Sequence, residues 1–200
     1  MSLLVVPLSS ADDGLYDPAP PPDAAFVRVV HAQPGTGELA PSLGSKSLDA
    51  LAYQQSSPYV VVPQGERQAS FGASGSAPFT VSAGSFYTVA LATQGVVLLD
   101  DPINTNLTKS LLVIYNLSDI ASISLRTADG ATTIVDGVAP GTVGHRAVNP
   151  LEVTLAAWSG DAAIQAFDTL KMERGEAYSV FVMGTGSDVT AVLVANTTTR

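Results

Sequence analysis

The sequence predicts an all-β protein: two tandem small β-sandwich domains from an internal duplication, preceded by a proline-rich, extended N-terminal segment. From residue 23 onward, short β-branched and aromatic runs alternate with Gly, Pro, Asn and Asp, a pattern typical of strands and turns. Hydrophobic residues make up 46% of the 200-residue chain, which is enough to fill two small cores. The second half of the chain also repeats apolar patterns of the first half, which indicates duplication.

The N-terminal segment differs in character from the rest of the chain. Residues 1–11 are largely apolar, and Ser9 and Ala11 are small residues at the −3 and −1 positions of a signal-peptidase site before Asp12. We interpret residues 1–11 as the remnant of a signal peptide, with an artefact of the start as the alternative. Residues 12–22 are acidic and then proline-rich. Because proline fixes φ and opposes compact secondary structure, we predict an extended spacer here.

Residues 23–103 are predicted to form the N-terminal sandwich. Its candidate strands are AFVRVVHA, SPYVVV, APFTVSA, SFYTVALAT and GVVLLD. The best helix candidate, Ser45–Gln55, also fits a strand and a loop, because its apolar positions are too few to fix a period. The segment Asp100–Ser110 is rich in Asp, Asn, Thr and Pro, and we place the domain boundary there.

Residues 107–200 are predicted to form the C-terminal sandwich. Its candidate strands are SLLVIYNL, SISLRTA, TTIVDGV, LEVTLAAW and YSVFVMG. The pairs Asp129–Gly130 and Asp136–Gly137 are interpreted as hairpin turns, because both residue types tolerate positive φ. Metal binding is the alternative role for these aspartates. The segment 139–150, which contains His145, is predicted to be a loop.

The clearest internal repeat pairs AGSFYTVALATQG with RGEAYSVFVMGTG. This alignment places Gly84 on Gly175 and Tyr87 on Tyr178. Glycine permits a tight turn, and the tyrosine that follows is predicted to lay its ring on the core with its hydroxyl near the backbone, as in a tyrosine corner. We therefore interpret these four residues as structural rather than catalytic.

Composition excludes several function classes. The net charge is −9 and no cluster of Lys or Arg occurs, so binding to nucleic acid or to an anionic membrane is disfavoured. The chain has no cysteine, which removes disulfides and cysteine-based metal sites. No apolar run reaches the length of about 18 residues that a membrane span needs. We predict no cofactor and no metal.

The sequence offers no assembled catalytic motif. Gly-x-Ser-x-Gly does not occur, and the nearest stretch, GASGSA, has Ser76 where the second glycine belongs. The two histidines, His31 and His145, occupy non-equivalent places in the two halves. We predict no catalytic residue. An O-acetyltransferase with an unrecognised Ser/His site remains an alternative, because triads do not require sequence proximity.

A sugar-binding module is the other alternative. Exposed aromatic rings on a sheet face can stack on pyranose rings. The candidates are Tyr53, Tyr59, Tyr115 and Trp158.

Several segments together resemble one family. They are LYDPAPPPDAAFVRVVHA, VPQG, LLDDP, YNLSD, SLRTADG, AVNP, LEVTLAAWSGD and MERGEAY, in this order over nearly the whole chain. This set resembles the AlgF proteins, the periplasmic proteins of bacterial alginate O-acetylation.

The resemblance implies a non-catalytic accessory protein of the periplasm. Its partners would be the periplasmic and membrane-associated proteins that acetylate the polysaccharide. Contact with a polyuronate itself is disfavoured, because a chain of net charge −9 repels it. The stiff N-terminal segment is interpreted as a docking element, with a solvated linker as the alternative. Its candidate partner-binding residues are Tyr16, Pro18, Pro20, Pro21 and Pro22.

Overall fold

The structure, a computed structural model, describes residues 20–199. Their two β-sandwiches confirm the predicted all-β class and the two tandem units. A 3-10 turn, Gly72–Ser74, interrupts the first unit. The strands of the N-terminal unit are β1 (Ala24–His31), β2 (Ser42–Leu43), β3 (Lys46–Ser47), β4 (Tyr59–Pro63), β5 (Gly65–Ser70), β6 (Ser76–Val81), β7 (Phe86–Ala92) and β8 (Gly95–Asp101).

The C-terminal unit is slightly larger. A second 3-10 turn, Gly186–Asp188, precedes its last strand. Over residues 20–199, no helix is long and apolar enough to cross a membrane. The strands are β9 (Ser110–Ser118), β10 (Ile123–Thr127), β11 (Thr133–Val138), β12 (Val143–Val148), β13 (Glu152–Val153), β14 (Leu155–Ser159), β15 (Ala162–Ala166), β16 (Leu170–Lys171), β17 (Ala177–Gly184), β18 (Thr190–Ala195) and, after them, β19 (Thr198–Thr199).

The two units share one topology. The inner sheets have the orders β4-β1-β7-β8 and β12-β9-β17-β18, and the outer sheets have the orders β3-β2-β5-β6 and β11-β10-β14-β15. The same pair is parallel in both inner sheets, β1 with β7 and β9 with β17. Eight strands therefore correspond one to one in chain order, so the duplication extends from the sequence to the topology. The short strands β13 and β16 pair with each other in addition.

Three apolar cores hold the sheets together. Each sandwich encloses its own core between its outer and inner sheets, and a third core, here called the seam, lies between the two inner sheets. In β1, Val27 and Val29 face the N-terminal core, whereas Val30 faces the seam. Strands buried on both faces read as continuous apolar runs, which is why β1, β7, β9 and β17 are visible in the sequence. Seam residues include Ala90, Leu99, Val113, Leu117, Phe181 and Met183.

Among the strands of five or more residues, four did not appear in the predicted segments: β5, β12, β15 and β18. The predicted loop 139–150 was wrong, because His145 lies in β12, which pairs with β9. Both β12 and β15 are edge strands with mostly exposed or half-buried residues, so they lack the apolar alternation that identifies a strand.

The predictions for the stretch Ser45–Gln55 and for the two Asp-Gly pairs can be compared with the structure. The stretch Ser45–Gln55 contains no helix; it holds β3, an isolated bridge at Leu51 and a turn. The pair Asp129–Gly130 lies in the turn between β10 and β11, as expected. The pair Asp136–Gly137 does not form a hairpin turn. It lies inside β11 at a register shift, where Gly137 has φ of 71°, the backbone conformation of a glycine β-bulge.

The two units are connected twice. Strands β8 and β9 flank the expected boundary and belong to different sheets, so no sheet is continuous across it. The end of the chain differs from the predicted range 107–200, because β19 pairs in parallel with β4 of the N-terminal unit. Strand β3, the outer-sheet counterpart of β11, is only two residues long, and β19 occupies the free edge of β4.

Candidate functional site

The seam contains a buried arginine. Arg28 in β1 is 2% exposed and uses four of its five donor hydrogens, each in a bond of 2.8–2.9 Å. One bond stays within the N-terminal unit, from Nε to the Thr88 hydroxyl. The other three cross the seam to the hydroxyls of Tyr115 and Ser179 and to the side-chain oxygen of Asn196. The guanidinium is therefore satisfied only when both units are in place.

Asp101, the last residue of β8, supplies the counter-charge. Its Oδ2 lies 3.7 Å from Nε of Arg28 and accepts hydrogen bonds from Tyr59 at 2.5 Å and Thr88 at 2.6 Å. Its Oδ1 accepts a bond of 2.8 Å from Tyr115. A buried carboxylate with three hydroxyl donors and a nearby cation is well compensated for its lost hydration.

Aromatic rings enclose this ion pair. The guanidinium carbon lies 4.6 Å from the ring centre of Tyr59, 5.2 Å from that of Tyr115 and 4.8 Å from that of Phe181. Burial raises the pKa of both tyrosine hydroxyls well above the usual value; the Asp101 carboxylate also raises it, and Arg28 opposes the rise. Both phenols therefore stay neutral and serve as donors to Asp101.

Neither Arg28 nor Asp101 was among the residues predicted from the sequence to be functional. For Arg28 the available signal was a charged residue inside an otherwise apolar run, FVRVV, whereas Asp101 ends its strand next to the exposed Asp100 and carries no such signal. Charged residues are almost never fully buried unless they are paired, so a charged residue in a strand that is buried on both faces, as Arg28 is in β1, implies a partner. The identity of that partner depends on how the units pack, which local sequence does not encode.

The two Gly-Tyr blocks have the same geometry. Gly84 has φ of 74° and Gly175 has φ of 81°, so both take the left-handed conformation that glycine permits. The hydroxyl of Tyr87 accepts a hydrogen bond from the backbone N–H of Ser82, five residues upstream. The hydroxyl of Tyr178 accepts the matching bond from the residue five positions before it. Both rings are buried in the cores of their own sandwiches.

The two histidines are not brought together. His31 is fully buried in β1, and its Nε2 donates to the carbonyl oxygen of Gly37 at 2.7 Å. His145 is exposed on β12 in the other unit. Within residues 20–199, no serine hydroxyl is hydrogen-bonded to either ring, and no group of three or more metal-ligating side chains is assembled.

The four aromatic candidates for sugar stacking do not share a face. Tyr59 and Tyr115 are buried around Arg28. Tyr53 is half-buried against His31 in the N-terminal unit. Trp158 is half-buried on the outer sheet of the C-terminal unit, beside Arg126. These positions provide no row of exposed rings for a polysaccharide.

The predicted docking residues are only partly described. Tyr16 and Pro18 lie outside the described residues. Pro20 is half-buried, and Pro21 and Pro22 are exposed. The run ends in a turn rather than in extended chain, because the N–H of Ala24 bonds to the carbonyl of Pro21 at 2.9 Å.

Comparison with known proteins identifies the family. The family model described as "Alginate O-acetyl transferase AlgF" matches residues 1–179. The alginate biosynthesis protein AlgF of Pseudomonas syringae pv. tomato is 35% identical over 195 residues, which cover 97% of this chain and 86% of that protein. The chain belongs to the AlgF family.

Two further relatives support the same family assignment. The alginate biosynthesis protein AlgF of Pseudomonas aeruginosa is 35% identical over 188 residues, covering 93% of this chain and 85% of that protein. The protein of the same name from Azotobacter vinelandii is 31% identical over 187 residues, covering 93% of this chain and 84% of that protein.

Two solved structures are also similar in sequence. The C-terminal domain of AlgF from P. aeruginosa is 34% identical, covers 44% of this chain and 98% of that domain, and has a TM-score of 0.40. The N-terminal domain of the same protein is 32% identical, covers 42% of this chain and 100% of that domain, and has a TM-score of 0.36.

Proposed function

We propose that this protein is a non-catalytic adaptor for the O-acetylation of alginate and that it acts by binding the proteins that transfer the acetyl groups. The observation that carries the proposal is the AlgF family match along residues 1–179, whose description and relatives refer to alginate and to O-acetyl transfer. The placement of the two histidines supports the non-catalytic part. His31 is buried and bonded to a backbone carbonyl, and His145 lies on the other unit.

Charge favours proteins over polymer as the partners. Alginate carries a carboxylate on each sugar, and this chain has 18 acidic and 9 basic residues. At low salt such a protein repels a polyanion unless a basic groove concentrates positive charge. Arg28, a buried cation, already makes four hydrogen bonds at the seam and is not available to a ligand.

The adaptor role is tested in the native host by deleting the gene and restoring it with a tagged copy. We expect the deletion to lower the O-acetyl content of the polymer and the tagged copy to restore it. We also expect affinity capture of the tagged protein to recover proteins of polysaccharide O-acetylation. Restored acetylation without recovery of any acetylation protein would contradict the adaptor role.

A second candidate function is acetyl transfer by this chain itself, which the family's description as an alginate O-acetyl transferase favours. It requires a serine activated by a base, an arrangement that places the two side chains within hydrogen-bond reach. Purified protein is incubated with a chromogenic acetyl ester and with oligouronates as acceptors. Acetyl transfer that is lost on His31→Gln or His145→Gln would favour this candidate over the adaptor.

The location and the N-terminal segment are part of the proposal. We place the protein in the periplasm, supported by the Ser9 and Ala11 cleavage pattern and by the family. Periplasmic extracts should contain a form that begins at Asp12, which N-terminal sequencing detects. We also propose that Tyr16 and the following prolines contact a partner, so Tyr16→Ala should weaken capture of acetylation proteins without altering the unfolding temperature.

A further inference from the structure

We propose that a small apolar surface beside the interdomain linker, here called the end patch, is a docking site for a partner protein. The end patch consists of Ile103, Leu107, Pro150 and Leu151. Leu107 is 73% exposed, Ile103 51% and Leu151 50%, the three highest values among the exposed large hydrophobic residues in the described part of the chain. None of these three belongs to any of the three cores. This inference rests on the proposed adaptor function and names the surface that performs it.

The end patch is held in position by the C-terminal unit. The side-chain amide of Asn104 donates to the backbone carbonyls of Lys109 and Gly175, at 3.0 and 3.1 Å. The N–H of Gly175 returns a bond of 3.0 Å to the carbonyl of Lys109. Leu107 lies against Gly175, so close that a Cβ there would be 3.8 Å from its Cδ2. The linker is therefore fixed on this surface, and its two apolar side chains are presented without a large ordering cost.

Leu107 and Leu151 flank one cavity. Their chain neighbours Thr108 and Pro150 line it, and the cavity volume is about 610 Å³. The other lining residues are Asn149, Met172, Glu173 and Arg174, so the cavity also offers polar contacts. The N–H of Met172 bonds to the carbonyl of Leu151 at 3.1 Å, which fixes that side of the cavity. A pocket bordered by exposed apolar side chains can receive an anchoring side chain of a partner, because binding hot spots cluster in pockets that become desolvated.

The rim of the end patch is charged but balanced. Its acidic and basic side chains alternate in chain order and are Lys109, Glu152, Lys171, Glu173, Arg174 and Glu176. A polar rim around an apolar centre is the arrangement found at transient protein–protein interfaces. The rim therefore suits a protein partner that presents an apolar residue within a ring of both charges.

The occupant we infer is a different protein rather than a second copy. Two copies would each bring a net charge of −9, and such like charge opposes self-association. The surface area that four side chains can bury is also far smaller than the roughly 1,200–2,000 Å² that stable interfaces bury in total. A less acidic partner that binds reversibly fits both facts, and within the proposed function this partner is a protein of the O-acetylation system.

The test uses the full chain with the double substitution Leu107→Asp and Leu151→Asp, which places two charges in the apolar centre. The matched control is Leu98→Asp, because Leu98 is an exposed leucine of β8 outside the end patch. Each protein is used for affinity capture from periplasmic extract, and acetylation proteins are quantified by mass spectrometry. We expect the double variant to capture at least about tenfold less acetylation protein than the unsubstituted chain. We expect the Leu98→Asp protein to retain capture within about twofold of the unsubstituted chain.

The outcomes separate this inference from the proposed function. If the unsubstituted chain recovers no acetylation protein, the adaptor function fails. If it does recover one and the double variant recovers as much, only the end patch is overturned. Equal losses in the double variant and in Leu98→Asp would also overturn it, since the loss would not depend on position. Sedimentation of the unsubstituted chain as a dimer that Leu107→Asp dissociates would assign the patch to a second copy instead.

Stability is checked on the same proteins. Because Leu107 is mostly exposed, Leu107→Asp should leave the unfolding temperature unchanged. If the double variant unfolds early, Leu107→Ala replaces it, with the expectation of a smaller loss of capture at an unchanged unfolding temperature. An unchanged level of capture by the folded Leu107→Ala protein would then overturn the inference.

Discussion

Arg28 and Tyr115 meet across the seam although they lie 87 positions apart in the sequence: Nη2 of Arg28 donates a 2.8 Å hydrogen bond to the tyrosine hydroxyl. That hydroxyl in turn donates to Asp101 at 2.8 Å. A tyrosine of one unit thus bridges a cation and an anion of the other. Because these buried groups are satisfied only in this arrangement, the cluster selects one orientation of the two units.

The first prediction concerns the loss of the buried cation. Arg28→Met keeps a long side chain but leaves the Asp101 carboxylate buried without its counter-charge. Removing one partner of a buried ion pair costs about 3–5 kcal/mol of the free energy of unfolding. Urea unfolding followed by circular dichroism measures the change. The control is Arg67→Met, because Arg67 is half-exposed on β5 and bonds only to nearby backbone carbonyls.

A loss of less than about 1 kcal/mol for Arg28→Met, equal to that of the control, would show that the cluster does not hold the units together. Adding Asp101→Asn to Arg28→Met removes the orphaned charge. The double variant should therefore regain part of the lost stability, and a double-mutant cycle quantifies the coupling.

The second prediction is a loss of stability at high pH. Burial, and then the Asp101 carboxylate, raise the pKa of Tyr59 and Tyr115 above the value of about 10 of an unfolded tyrosine. Below about pH 10 both tyrosines are protonated in the folded and in the unfolded state, so their contribution to the free energy of unfolding is fully present. Above it the unfolded chain loses the proton first, so the free energy of unfolding falls by up to about 1.4 kcal/mol per pH unit for each tyrosine.

Urea unfolding at a series of pH values between about 9 and 11 tests this slope. The variant Tyr59→Phe with Tyr115→Phe should show a flatter slope, because these two groups no longer titrate. If the double substitution leaves the slope unchanged, the loss of stability at high pH comes from other residues.

The third prediction concerns the repeated tyrosine blocks. Tyr87→Phe and Tyr178→Phe each remove the acceptor of one backbone N–H, and a group left without a partner costs about 1–3 kcal/mol. The two losses should be similar because the geometry is the same. The control is Tyr53→Phe, since the Tyr53 hydroxyl is buried without a partner among the described residues. That substitution should leave stability unchanged or raise it, and a loss equal to the others would contradict this assignment.

Much of the fold could be predicted because its inner strands are buried on both faces. Strands β1, β7, β9 and β17 carry continuous apolar runs, and the Gly-Tyr blocks repeat at matched places. The edge strands β12 and β15 could not be predicted in the same way. Their side chains are mostly exposed, so the sequence shows no alternation there.

The hydrogen-bonded cluster around Arg28 and Asp101 could not be predicted from the local sequence, for a different reason. Tyr59 and Tyr115 each fit an exposed stacking residue as well as a buried one, and only the packing of the inner sheets brings both to Arg28. The same holds for Asn196, which reaches Arg28 because the chain returns to β4 after β18. Contacts between units depend on their orientation, and periodicity within a strand carries no information about it.

The last prediction concerns the independence of the two units. Residues 23–103 and 107–200 each retain a core of their own, so each half expressed alone should give a dispersed amide spectrum. Each half also exposes its side of the seam, and Arg28 loses three of its four hydrogen-bond partners. We therefore expect both halves to be less stable than the full chain and to associate when mixed, as measured by calorimetry. The substitution Arg28→Met in the first half should weaken that association. An unfolded half would show instead that the seam is required for folding and that the two units form one cooperative body.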